Sequence, residues 1–439
     1  MPDEWPVMQL TDLYDIASGL SKPRDQFGFG HGFLTFKDVL DNYFVPEMLS
    51  GLVNSTAKEQ QQCSIRRGDV FLTRTSETQD ELGMSSVALN DYKAATFNGF
   101  TKRLRPKQDE VIVPEFAAYY FRSRRFRQEV TAMSSLSTRA SLNNEMISRL
   151  TIVVPPVSTQ LDIGVSLKRL DDKIELNRRM NQTLEATAAA IFKAWFIDFE
   201  PVKAKAAGAK NFPSMPQPVF DALPSSLVAA SNSLSGEIPK GWEMASVAED
   251  CELVMGQSPP SEMYNEDGEG LPFHQGGGTF QERFPRHEVF CTVANRLAEP
   301  GDVLFTVRAP VGRLNMADRK LIVGRGVAAI RHRRGWRSFL FHHLKNSFQS
   351  EDSIGDGTIF ASVNKDDMQK IRLLRPTDRM AEAFEQVVGP LDELFATNCQ
   401  ETATLAALRD SLLPKLLSGE VRVDLAATVG SEGHFGGVR

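Results

Sequence analysis

Leu170-Asp171-Asp172-Lys173-Ile174-Glu175-Leu176-Asn177 returns 221 positions later as Leu391-Asp392-Glu393-Leu394-Phe395-Ala396-Thr397-Asn398. The same interval carries Ser141-Leu142-Asn143 to Ser362-Val363-Asn364, Pro155 to Pro376 and Leu184 to Leu405, with no gap. Solenoid repeats have periods of roughly 20 to 50 residues, so an interval this long marks two copies of one domain-plus-helix unit. Such a chain should present two similar surfaces about a pseudo-two-fold. That shape suits a duplex read at two half-sites.

Both copies of the quoted stretch lie on long helical patterns. Ile163, Leu167, Leu170, Ile174, Asn177, Asn181, Leu184, Ala188, Ile191 and Trp195 alternate spacings of four and three. Phe384, Val388, Leu391, Phe395, Asn398, Thr402, Leu405, Arg409, Leu412 and Leu416 repeat the alternation. A seam sustained over about four heptads is a coiled-coil signature. Neither helix has a partner nearby in sequence, so the two are expected to pair with each other. The pairing residues are Leu170, Ile174, Asn177, Leu184, Leu391, Phe395, Asn398 and Leu405. In an antiparallel pair, equivalent residues meet only at the middle. Asn177 and Asn398 are expected to meet there, satisfying one another and fixing register. Forty helical residues span about 60 Å, which makes the pair a ruler.

Upstream of the helices the copies still match, with drifting offsets. Trp5 and Gly19-Leu20-Ser21-Lys22-Pro23 correspond to Trp242 and Gly256-Gln257-Ser258-Pro259-Pro260. Gly68-Asp69-Val70-Phe71-Leu72-Thr73 corresponds to Gly301-Asp302-Val303-Leu304-Phe305-Thr306. Length changes therefore fall in front-half loops, while the helical rear keeps strict length. Short strand signals alternate with Gly- and Asn-rich turns through the front half. The fold class expected is α+β: two similar mixed domains separated by a long antiparallel two-helix coiled coil. The boundaries are 1–157 for the first domain, 158–200 for the central helix, and 201–237 for a Pro/Ala/Ser-rich linker. They continue with 238–377 for the second domain, 378–420 for the distal helix and 421–439 for a flexible tail.

The 439 residues suffice for two or three ordinary cores. Four scattered cysteines without metal or redox spacing read as reduced thiols of a cytoplasmic protein. No apolar run approaches the roughly 18 residues of a membrane span, and the acidic start is no signal peptide. A net charge of −6 argues against indiscriminate coating of nucleic acid. Local cation clusters nevertheless occupy corresponding places: Arg122, Arg124, Arg125 and Arg127, then Arg325, Arg331, Arg333, Arg334 and Arg337.

Catalytic machinery is missing. Gly-Lys, which ends a nucleotide-binding phosphate loop, occurs nowhere. Pro155-Pro156-Val157 and Ser258-Pro259-Pro260-Ser261 lack the aromatic of a base-clasping methyltransferase loop. The seven histidines form no metal pattern. The expectation is no catalytic residue, no metal and no cofactor on this chain. Aromatics at the end of a coiled coil are usually core, but Trp195, Phe196 and Phe199 exceed what the first seam requires, and a docking surface for another subunit is the rival reading of these three candidates.

At this point a resemblance becomes specific. Leu170 to Asn181, continuing through Phe192-Lys193-Ala194-Trp195-Phe196-Ile197-Asp198-Phe199, resembles the central shared helix of the specificity subunits of type I restriction–modification enzymes. Leu412-Leu413-Pro414-Lys415-Leu416-Leu417-Ser418-Gly419-Glu420-Val421 resembles their distal helix end. The two Gly-Asp-Val units resemble the recurrent strand of their target-recognition domains, and Ile238-Pro239-Lys240-Gly241-Trp242 the entry to the second domain. The resemblance implies a non-catalytic, DNA-binding subunit reading a bipartite, asymmetric site in double-stranded DNA. Two methyltransferase subunits carrying S-adenosylmethionine would dock on the helices, and motor-nuclease subunits would use ATP and Mg.

Base edges pair with Arg, Lys, Asn, Gln, Ser and Thr. Loops beside the shared strands offer Arg74, Thr75, Ser76, Thr78, Thr138, Arg139, Arg308 and Arg313 as candidate base readers. Arg122, Arg124, Arg331 and Arg333 are candidates for phosphate contacts. The alternatives are a coiled-coil scaffold carrying two non-DNA sensor domains, and a self-contained DNA-modifying enzyme. The paired Arg clusters and twin Gly-Asp-Val units speak against the first, and the missing motifs against the second.

Overall fold

A computed structural model describes residues 5–76, 78–134, 141–230, 236–348, 353–354, 358–359 and 362–423. Two compact units divide the chain. The N-terminal unit holds residues up to Asn177 together with those from Gln400 onward; the C-terminal unit holds Arg178–Cys399. Each long helix thus contributes one half to each unit.

Each unit is built on the same four-stranded antiparallel sheet. In the N-terminal unit the order is Tyr14–Ser18, Thr101–Pro106, Val70–Thr73, Ser85–Val87. In the C-terminal unit it is Cys251–Met255, Val327–His332, Val303–Thr306, Leu314–Met316. The central strands carry Val70, Leu72, Val303 and Phe305 into fully buried cores. A second sheet flanks the first. It has three strands in the N-terminal unit (Gly51–Val53, Phe27–Leu34, Thr96–Phe97) and five in the C-terminal unit.

The Gly-Asp-Val signature has a structural cause. Asp69 and Asp302 are buried, and each receives a two-pronged bond from an arginine of the neighbouring strand. Arg105 reaches Asp69 through Nε at 2.7 Å and Nη2 at 2.6 Å. Arg331 reaches Asp302 at 2.6 and 2.8 Å. The same carboxylates accept the backbone N–H groups of Arg66 and Glu299. One acidic residue therefore closes the turn entering the strand and locks the strand to its neighbour.

The repeated Ser-x-Asn is a helix start. Asn143 accepts from the Met146 N–H, and Asn364 from the N–H groups of Asp366 and Asp367. A two-stranded ribbon follows each short helix, Val7–Gln9 with Thr151–Val153 and Glu243–Ser246 with Arg372–Arg375. It ties the beginning of each domain to the launch of its long helix.

The long helices run Val157–Phe192, extended by a π-helical turn Lys193–Ile197, and Asp378–Leu417. Within each unit their halves pack antiparallel. In the N-terminal unit Ile163 and Leu167 share a core with Leu413 and Leu416, and Ile174 is buried. In the C-terminal unit Phe192 packs on Phe384, and Phe395 is buried. Leu170, Leu184, Leu391 and Leu405 are half-buried along the same faces.

Three expectations need correction. Asn177 and Asn398 do not serve as each other's partners. Asn398 donates to Asn181 at 2.9 Å, and Asn177 donates to Glu401 at 2.8 Å. Residue 181 shifted by the repeat interval is 402, so the two bonds lie at nearly equivalent places and the true register is offset from the assumed one. Trp195, Phe196 and Phe199 are buried, packed on Trp242, Phe339 and Phe384. The aromatic excess beyond the seam fills a core and leaves no docking surface. The 201–237 stretch is more than a tether. It carries helices Glu200–Ala206 and Gln217–Ala222 and buries Val202, Val219, Phe220 and Leu223 in that same core. Likewise Val421 and Val423 pack against the N-terminal core. No helix among the described residues is long and apolar enough to cross a membrane.

Candidate nucleic-acid interface

The shared sheet ends, in each unit, at a corner where several chain segments meet. In the C-terminal unit the Gly256 N–H donates to Val327 O, the Gln257 N–H to Val323 O, and the Val307 N–H to Gly326 O, all at 3.0 Å. The N-terminal unit repeats this frame, with the Leu20 N–H on Phe97 O at 2.8 Å and the Arg74 N–H on Phe100 O at 2.8 Å. A threonine braces the adjoining hairpin in both. The Thr73 hydroxyl accepts from the Met84 N–H at 2.9 Å, and that of Thr306 from the Arg313 N–H at 2.9 Å. One further bridge joins each corner to the segment before the short helix, Thr75 with Ser141 and Arg308 with Ser362.

Most of the candidate base readers fall on these corners. Arg74, Thr75 and Ser76 lie half-buried just beyond the central strand, and Thr78 is exposed. Ser76 donates to Glu81, which holds this loop against its own hairpin. Arg308 is exposed, and Arg313 leans back on Gly277 O at 3.1 Å. Thr138 and Arg139 lie outside the described residues. The corner of the C-terminal unit also displays Gln257, Gln275 and Arg325, all exposed; sequence reasoning counted Arg325 in the second cation cluster but offered none of the three as a base reader. The signal available was Gly324-Arg325-Gly326, one cation flanked by glycines.

The phosphate candidates divide. Arg122 is committed to the fold, donating to the carbonyls of Ser85, Val39, Leu40 and Asn42 while its guanidinium lies over Tyr43. Burial holds its pKa down, to about 10. Arg331 is the partner of Asp302 and so part of the frame. Arg124 and Arg333 are exposed; Arg333 stands 3.8 Å from Glu252. These two remain open to phosphate.

Behind the C-terminal corner runs a polar chain. His274 contacts Thr279 Oγ1 at 2.7 Å and His287 Nδ1 at 3.0 Å, and His287 Nε2 lies 3.0 Å from Asp318. Burial, assisted by the neighbouring His287, pushes the His274 pKa down to about 4. When a neutral His287 donates to Asp318, its Nδ1 accepts from His274 Nε2, and His274 Nδ1 then accepts from the Thr279 hydroxyl. The chain spans both ends of the loop Gln275-Gly276-Gly277-Gly278 and fixes it.

A second set of residues missed by pattern reading ties domain to helix. The Asp of each Leu-Asp motif is a partly buried anchor. Asp171 accepts from Tyr119 Oη at 2.6 Å and Arg409 at 2.6 Å. Asp392 accepts from Arg283 at 3.0 Å, and Arg283 also pairs with Glu185. Arg283 is 2% exposed, its guanidinium 4.0 Å from the Phe341 ring centre. No group of His, Cys, Asp and Glu among the described residues is arranged to hold a metal ion.

Comparison with known proteins places these features. Residues 2–186 match the type I restriction modification DNA specificity domain. The chain is 26% identical to the type I restriction enzyme MjaIX specificity subunit of Methanocaldococcus jannaschii, over 97% of this chain and 95% of that protein. It is 25% identical to the type I restriction enzyme HindI specificity subunit of Haemophilus influenzae, over 93% and 98%. Among solved structures, the type I restriction-modification system S subunit from M. genitalium matches at a TM-score of 0.57 and 14% identity, over 94% of this chain and 96% of that one. The last likeness concerns the fold.

Proposed function

From its likeness to type I restriction–modification specificity subunits, we infer that the chain belongs to that family and is the DNA-reading subunit of such a complex. Each corner reads one half of a bipartite, asymmetric site in double-stranded DNA through the major groove. The length of the two long helices sets the number of unread base pairs between the halves. Partner subunits bring the chemistry: methyltransferase subunits with S-adenosylmethionine modify adenine, and motor-nuclease subunits with ATP and Mg cleave unmodified DNA. This chain is not itself an enzyme, and it works in the cytoplasm.

The observation that carries the reading is the pair of corners. They share one hydrogen-bonded frame, while the residues projecting from it differ: Asn98-Gly99-Phe100 stands where the other unit has Gly324-Arg325-Gly326. Similar frames with different side chains are what two different half-sites require.

The test is co-expression with a cognate methyltransferase subunit, followed by mapping of methylated adenines by single-molecule sequencing. A single split motif, lost when this chain is deleted, is expected. Exchanging residues 1–155 for those of another family member should change one half of the motif and keep the other. A stable complex that methylates nothing would favour the scaffold reading.

A further inference from the structure

We propose that Arg325 is a base-reading residue of the C-terminal unit and takes a guanine in the half-site this unit reads. The proposal rests on the DNA-reading role inferred above and adds which side chain carries specificity, and for which base.

The backbone around Arg325 is pinned at every step. From Val323 to Val327 each N–H has an acceptor: Arg296 O at 2.9 Å, His274 O at 2.9 Å, Ser258 Oγ at 3.2 Å, Gln275 O at 2.9 Å and Gly324 O at 2.9 Å. The corner is also crowded. A Cβ on Gly324 would stand 2.8 Å from Gln275 Cα, one on Gly326 2.6 Å from Gln275 O, and one on Gly256 2.1 Å from Gly324 O. Glycine is required at all three places because backbones approach there without room for a side chain. Arg325 alone in this turn projects one, and that side chain is exposed, near Tyr264, with no hydrogen bond or ion pair to its guanidinium among the described residues.

The combination is what base reading needs: a rigid platform, an exposed side chain and donors left unused by the protein. A cation serving the fold would be spent, as Arg331 is on Asp302 and Arg122 on backbone carbonyls. A guanidinium presents paired donors that match guanine O6 and N7, the commonest specific contact in the major groove. The N-terminal unit has no equivalent. Its counterpart is Gly99, where a Cβ would meet Ser21 Oγ at 2.1 Å.

The experiment uses the assembled complex of this chain with its methyltransferase subunit, and a duplex bearing the site its methylation map defines. Guanines of the half-site are replaced singly by 7-deazaguanine, which lacks the N7 acceptor and keeps base pairing. The wild-type complex is expected to bind roughly 10- to 100-fold more weakly at one such position. The Arg325→Ala complex should lose that sensitivity there while keeping discrimination everywhere else. Uniform weakening of Arg325→Ala with all sensitivities retained would make Arg325 a phosphate contact and overturn the assignment. So would an unchanged variant. A half-site with no guanine, or with none sensitive to 7-deaza replacement, overturns it on the wild-type protein alone, without reliance on the variant's folding. A complex that assembles yet yields no bipartite map rejects the DNA-reading role itself, before Arg325 is touched.

Discussion

The two corners share a backbone and differ in what they show to solvent. Thr73 and Thr306 brace their hairpins alike, and Ser21 and Ser258 stand at the same turn. Between those fixed points the N-terminal unit places Phe100, 63% exposed, where the C-terminal unit places Gly326. The hairpin loop is longer in the first copy, Arg74 to Gly83 against Val307 to Gly312. The bonds that define the corner are almost all backbone to backbone, so they are indifferent to side-chain identity. A fold held together this way can change its recognition surface without changing its frame.

The same contrast extends to acid stability, where the largest difference between units is expected. His274, His332, His342 and His343 all lie in the C-terminal unit, and burial above all lowers each pKa to about 4. His343 Nε2 accepts the Leu374 N–H at 2.9 Å, a bond only the unprotonated nitrogen can make at that position. A folded pKa below the unfolded value means the unfolded chain gains the proton first. Stability from these groups is therefore present above about pH 6.5 and is lost as pH falls from 6.5 to 4. Each contributes up to about 3 kcal/mol. Trp195, Trp242 and Trp336 belong to this unit and Trp5 to the other. Tryptophan fluorescence on acid titration should therefore report unfolding of the C-terminal unit, with N-terminal far-UV signal retained. Concerted loss of both units would break the comparison.

A second difference lies in how each Leu-Asp motif is anchored. Removing Arg283 leaves Glu185 and Asp392 facing one another around a buried void, so Arg283→Ala should cost about 3 to 5 kcal/mol. Arg409 is 16% exposed, and Asp171 keeps its bond from Tyr119. Arg409→Ala should cost about 1 to 2 kcal/mol. Urea denaturation with the tryptophan readout measures the first and circular dichroism the second; equal losses would show that the anchors are interchangeable. The Gly-Asp-Val locks repeat the pattern on a smaller scale. Arg105 is 20% exposed and Arg331 42%. Asp69→Asn should therefore destabilise its unit more than Asp302→Asn destabilises the other, by about 1 kcal/mol at the melting midpoint.

Much of this was legible in the sequence, and the failures have physical reasons. The repeat interval and the four-three seam point to the helices because a face buried along its length imposes its period on composition. Twin Gly-Asp-Val units mark the central strands because one carboxylate performs two bonding tasks there. The register of the asparagines was missed because a seam pattern fixes which face is buried and not which residues meet across it. Pattern alone left Trp195, Phe196 and Phe199 between core and docking surface because their partners, Trp242, Phe339 and Phe384, come from distant segments that no local pattern connects. The committed roles of Arg122 and Arg331 were hidden for the same reason: an arginine cluster reads alike whether its guanidiniums face phosphate or backbone carbonyls. Arg325 was read only as one member of a cation cluster because its distinction comes from the crowding of three glycines, which only the assembled corner reveals.

The smallest expected effect sharpens the comparison of corners most. Phe100 projects from the N-terminal corner at 63% exposure, beside the Asn98 side chain that caps its own N–H at 2.7 Å. An aromatic ring held in the open at this cost in exposed apolar surface has a use if it meets an apolar group, and in the major groove that group is the thymine methyl. One methyl is worth about 0.8 kcal/mol, or roughly four-fold in binding. Replacing single thymines of the N-terminal half-site by uracil should weaken the wild-type complex by that factor at one position. Phe100→Ala should abolish the sensitivity there while leaving the C-terminal half-site and the melting temperature unchanged. If Phe100→Ala instead weakens binding equally on all sequences, the ring is a general contact, and the difference between the corners reduces to Arg325 and the loop lengths.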